Sequence, residues 1–107
     1  MPVFNIPLRG SAFTNLNRGK IIEVRILRGI FKNIKTNDKI TFYSKIGSCE
    51  KIVKNVKYYN SLIDVFENEN VKDILPDIKN TIDAIKHYND IYKNINIDNF
   101  KIVCFFI

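Results

Sequence analysis

The stretch Gly19-Lys20-Ile21-Ile22-Glu23-Val24-Arg25-Ile26-Leu27 reads as a β-strand. Strand side chains alternate, so Ile22, Val24 and Ile26 share one face while Ile21, Glu23, Arg25 and Leu27 share the other. Charges inside an apolar run need water or a partner. Two arrangements meet that need. One is a half-exposed strand with an ion pair along its wet face. The other is a pair of charges lining a cleft for a polar or anionic ligand. Lys20, at the mouth of the strand, places the one acid between two bases.

Outward from this strand, the chain alternates between strand and helix signals. Residues 3–8 (VFNIPL) form a short strand, and Pro7, which has no N–H, belongs at an edge or an end. Ser11 is placed to cap a short helix running to Arg18-Gly19, where glycine suits a left-handed terminus. After a turn over residues 29–35, residues 39–44 form a third strand, entered through an Asn37 that tolerates positive φ. Residues 45–48 turn back, and residues 49–59 read as a fourth strand, giving a hairpin with a glycine-containing loop. Helices follow, one capped by Asn60 or Ser61, one starting at Asn70 and stopped by Pro76, and one over 81–92 capped by Asn80 or Thr81. Residues 100–107 (FKIVCFFI) are a nearly continuous apolar strand, expected at the centre of a sheet or at the closure of a barrel. Strands come first and helices are inserted before the last strand, which is not a Rossmann alternation. The expected fold is α+β: a small β-barrel of about five to six strands with short helices packed at one end.

Composition narrows the function classes. The chain of 107 residues has room for one core and one domain, and its 46% hydrophobic content is that of a folded protein. No apolar run is long enough to span a bilayer, and no secretory pattern opens the chain. Cys49 and Cys104 do not form a CxxC pair and read as free thiols, so an intracellular location, cytoplasmic or nuclear, is expected. The net charge of +6 is unevenly spread. Residues 1–60 hold twelve Lys/Arg against three acids, and residues 61–107 hold five Lys against eight acids. A basic first half attracts phosphate backbones.

Other chemistries lack support. His87 is the single histidine, with no second His or Cys nearby, and reads as a helix-surface residue rather than a metal ligand. The acids at 64, 67, 69, 73, 77, 83 and 90 fall mostly at helix starts and exposed positions. No phosphate-loop motif, dinucleotide fingerprint or nucleophile elbow is present, and no cofactor is implied.

Residues 15–43 resemble the start of the ASCH domain, a branch of the PUA-like superfamily, whose second strand carries GxKxxExR. Lys20, Glu23 and Arg25 fall on its Lys, Glu and Arg, while Arg18 stands at the motif's glycine. The segment 31–42 (FKNIKTNDKITF), the junction 56–62 (VKYYNSL), Leu75-Pro76 and the Tyr88/Tyr92 helix are also similar to ASCH members. The resemblance implies a β-barrel with a cleft between barrel and helices, and RNA or a nucleotide-like ligand as partner. Contacts are then expected from Arg18, Lys20, Glu23, Arg25 and Arg28, extended by Lys54 and Lys57, with Tyr58 or Tyr59 stacking on a base. Some members resemble small amidohydrolases acting on a modified cytidine, or ribonucleases. That alternative would make Lys20, Glu23 and Arg25 catalytic. However, Glu23 occupies the place of the amidohydrolase threonine, and its charge favours the ammonium form of Lys20. A third alternative is a non-catalytic interaction module, with an edge strand free to pair with a second copy.

Overall fold

The last strand organises the architecture. In the computed structural model, which describes residues 2–107, β6 (Ile102–Phe106) lies between β2 (Ile22–Ile26) and β5 (Asn55–Tyr59), antiparallel to both. Its side chains alternate between two cores. Ile102 and Cys104 face a cluster with Ile22, Val24, Ile26 and residues of the later helices. Val103 and Phe105 face a second cluster with Ile6, Phe13, Ile40, Phe42 and Val53. A strand covered on both faces must be apolar at every position, which is why residues 102–107 read as a continuous run.

The second sheet has the order β1 (Val3–Pro7), β3 (Lys39–Ser44), β4 (Gly47–Ile52). β1 runs parallel to β3, and β3 forms a tight hairpin with β4 through Lys45-Ile46. β1 is an edge strand, so Pro7 at its end forgoes no ladder bond. The first helix, α1 (Gly10–Thr14), begins one residue ahead of Ser11, has Arg9 rather than Ser11 at its N-cap, and continues as a 3₁₀ turn over Asn15–Asn17. On the other face of the central sheet lie α2 (Leu62–Asn68), α3 (Val71–Ile74) and α4 (Thr81–Ile91). Their N-caps are Ser61, Asn70 and Asn80, each accepting a main-chain N–H with its side chain. Asn37 adopts φ +76° and Gly19 φ +100°, the conformations their turns require.

Two expectations are corrected. The strand expected over 49–59 is two strands. Val53 still bonds to the second sheet, its N–H donating to Asp38 O at 2.8 Å and its carbonyl accepting from Asn37 N at 2.7 Å. The next residue, Lys54, donates to Phe106 O at 2.7 Å and so enters the central sheet. Fully buried Val53 makes the corner. Among the described residues the six strands therefore form two three-stranded sheets rather than a closed barrel, because the chain crosses between them at this corner and no ladder links them. The class is α+β. No described helix is long and apolar enough to cross a membrane.

Both cysteines are free, Cys104 buried in the central sheet and Cys49 half-buried on β4. Burial, with the Glu69 carboxylate adding to it, pushes the Cys104 thiol up to about 12. A thiol that stays protonated and covered does not react. With a chromogenic disulfide reagent at pH 8, the native protein is expected to release one equivalent at most, and two after denaturation. Two rapid equivalents from native protein would place Cys104 outside the core.

Candidate functional site

The charged face of β2 is not wet. Lys20 and Glu23 are 3% and 4% exposed, and Arg25 is half-buried. The three form a chain. Glu23 Oε1 lies 3.1 Å from Lys20 Nζ, and Glu23 Oε2 accepts from Arg25 Nε at 2.8 Å. Both carboxylate oxygens are thus held by cations, as a buried charge requires.

Local structure explains how Lys20 reaches this position. The 3₁₀ turn ends at Arg18, and Gly19 reverses the chain with positive φ. Lys20 N then donates to Asn15 O at 3.0 Å, and Ile21 N to Asp73 O at 2.8 Å, which ties the start of β2 to α3. β2 is an edge strand, so the Ile22 carbonyl points away from the sheet. α3 ends at Ile74, with Pro76 close behind, and leaves its last carbonyls without helical partners. Lys20 Nζ donates to both, to Ile22 O at 3.0 Å and to Ile74 O at 2.8 Å. With Glu23 these are three acceptors, one for each N–H of an ammonium. The side-chain nitrogen is thereby tied at once to β2, to α3 and to Glu23.

Arg25 is the outlet of the chain. Its side chain is 21% exposed, its Nη2 donates to Pro7 O at 3.2 Å, and its guanidinium centre lies 5.2 Å from the ring centroid of Phe31. Nε is committed to Glu23 and Nη2 to Pro7, while Nη1 has no hydrogen-bond partner among the described residues. The charges reinforce one another. Burial alone would raise the Glu23 carboxyl, but Lys20 and Arg25 outweigh it and hold the group below its ordinary value. Burial would lower Arg25, and Glu23 more than offsets that. On α4, burial pushes the Tyr88 hydroxyl well up and the Glu23 carboxylate adds to the effect. Tyr92 is also raised by burial, though Arg25 pulls against it.

The structure separates the remaining sequence-predicted residues. Arg18 and Arg28 are exposed at opposite ends of β2, with Arg28 5.9 Å from the Phe100 ring centroid. Lys54 lies at the entry to β5, and Lys57, Tyr58 and Tyr59 lie on it, the other edge of the sheet. That edge is two strand spacings, roughly 10 Å, from β2. Lys57 is 3.6 Å from Glu69 and sits over the Phe106 ring, and the Tyr59 hydroxyl donates to the same carboxylate. The sequence expectation has Lys54 and Lys57 extending the Arg25 patch with Tyr58 or Tyr59 stacking on a base; all four belong to the edge of the sheet opposite β2. Lys57 and Tyr59 serve a local Glu69 cluster, while Lys54 and Tyr58 are exposed, and Tyr58, which like Arg25 pairs with Val103, shares the Arg25 face of the sheet from the far side of β6. His87 packs edge-on against Tyr88, and among the described residues no group of three His, Cys, Asp or Glu side chains is placed to hold a metal. Sequence reasoning missed Phe31 and the main-chain acceptors of Pro7, Ile22 and Ile74. Every residue carries a carbonyl, so only Pro76, which marks a helix end, hinted at one of them.

Six strands in two three-stranded sheets, with α2, α3 and α4 on one outer face, make up a fold shared with solved structures. The crystal structure of the hypothetical protein PH0355 matches with a TM-score of 0.86 at 24% identity, over 98% of this chain and 96% of that one. The solution NMR structure of the protein PF0455 from Pyrococcus furiosus matches with a TM-score of 0.76 at 26% identity, over 97% and 94% of the two chains. No family model and no curated protein matches the chain.

Proposed function

We propose that the protein is an ASCH-like, PUA-like module that binds RNA or a nucleotide-like ligand through Arg25. The observation that carries this reading is the ion chain itself. Burying a lysine and a glutamate is costly, and a buried ion pair is weak evidence for stability alone. Here both charges act on one half-exposed guanidinium, flanked by an aromatic ring and holding an unused nitrogen. A fixed, planar fork of N–H donors suits phosphate or a base edge. The basic first half of the chain would draw in the polyanion. The two sheets, packed through a shared apolar layer and joined at Val53, are compatible with an opened PUA-like barrel. The hydrolase alternative has less support, because the amine it needs is occupied on all three N–H groups.

Wild type and Arg25→Ala are to be titrated with short single-stranded RNA, duplex RNA and DNA at two salt concentrations, and the same samples run on a gel. The expected result is salt-sensitive binding, weakened about tenfold or more by the substitution, with intact RNA. Wild-type binding unaffected by Arg25→Ala would remove Arg25 from the interface. Cleavage lost in the variant would move the protein to the nuclease class.

A further inference from the structure

A second feature adjoins Arg25. Because β1 and β3 are parallel, their carboxyl ends emerge at the same end of the sheet, and Leu8 N donates to Tyr43 O at 2.9 Å there. The turn from β1 into α1 and the β3–β4 hairpin diverge from this point and leave an open groove of about 670 Å³. Its walls include Pro7, Arg9, Gly10, Tyr43, Lys45 and Ile46. Crevices of this size at the carboxyl ends of parallel strands are common ligand sites.

The chemistry of the walls selects an occupant. Tyr43 and Ile46 are 45% and 70% exposed, an aromatic ring and an aliphatic side chain that no part of the fold covers. Arg9 and Lys45 supply two cations, and no carboxylate lines the groove. A third cation stands at the wall, since Arg25 Nη2 donates to the carbonyl of groove-lining Pro7. An apolar, aromatic floor ringed by uncompensated positive charge complements a flat heterocycle carrying phosphates on either side.

We propose that this groove takes a single-stranded RNA segment, one base stacking on Tyr43 and the flanking phosphates meeting Arg9 and Lys45. The inference rests on the reading of the protein as an RNA-binding module. It adds residues outside the Lys20–Glu23–Arg25 chain and commits the site to single strands, because a paired base cannot enter a groove to stack.

The test uses a fluorescein-labelled octanucleotide of uridine and the matching RNA duplex. The proteins are wild type, Tyr43→Ala, Arg9→Ala/Lys45→Ala and Arg25→Ala, and amide chemical shifts are recorded on adding unlabelled RNA to wild type. The substituted groove positions, Arg9, Tyr43 and Lys45, are exposed, and the spectrum of each variant reports its folding. The expected results are single-strand preference, about tenfold weaker binding by Tyr43→Ala, and a log–log salt slope reduced by about 1.4 in the Arg9/Lys45 variant. Shifts should concentrate at residues 7–10 and 43–47. If wild type binds and Arg25→Ala weakens it while the groove variants bind as wild type, the groove inference falls and the Arg25 reading stands. No binding by wild type to either RNA overturns both. Duplex preference, or shifts confined to β5, overturns the groove.

Discussion

Replacing Glu23 by glutamine is expected to lower the unfolding free energy by about 3–5 kcal/mol. The amide keeps the volume and removes the charge, leaving Lys20 and Arg25 partly or wholly buried without a counter-ion. Urea unfolding checks it, with a midpoint lowered by at least about 1 M. A change below about 1 kcal/mol would mean that the cations are solvated in solution. The effect has a pH signature. Glu23 is held below its ordinary value of 4.5 in the folded protein. The unfolded state therefore takes up this proton first as pH falls. The contribution of Glu23 is fully present above about pH 4.5 and is lost as pH drops through the lower folded value. Over that acid range wild type should lose stability more steeply than Glu23→Gln, and the two curves should converge. Parallel curves would sink the assignment.

Lys20→Met is expected to destabilise by a similar amount, about 3–5 kcal/mol, and by a different route. It strips the Ile22 and Ile74 carbonyls of their donor and leaves Glu23 with Arg25 alone. Because Lys20 holds α3 against the edge of β2, the Ile21 amide, which donates to Asp73 O, should lose hydrogen-exchange protection beyond the global loss. Uniform loss across the chain would mean that Lys20 does not pin α3. Replacing all three charges together, Lys20→Met/Glu23→Leu/Arg25→Met, should recover most of the stability, since buried ionic groups exchanged for apolar ones of similar volume are often neutral or stabilising. The triple variant should still fail to bind RNA. Recovered stability with wild-type binding would refute the role given to Arg25.

The local rules were legible because they depend on neighbours a few residues away. Pro7 marked an edge, Asn37 and Gly19 marked positive φ, and Ser61, Asn70 and Asn80 marked helix starts. The apolar run at 100–107 pointed to a strand at the centre of a sheet or at the closure of a barrel, and β6 takes the central place. The site was legible only as a pattern, two bases around an acid on one strand. Whether that face was wet or dry depended on Ile74 and Pro7, which lie 54 residues from Lys20 and 18 from Arg25.

What the chain determined by itself was the alternation of β2, the caps, the turns and the charge imbalance between its halves, all of them properties of short sequence windows. Tertiary structure decided the rest. It split residues 49–59 at Val53, where one residue bonds to one sheet and the next to the other. It carried Lys57 and Tyr59 away to Glu69 on the far edge, though their charge and aromaticity had suited them to the cleft. It also made the Lys20–Glu23 pair internal. Burial of a charge is possible only where distant main-chain carbonyls and a counter-ion converge on it, and only the folded chain brings those groups together.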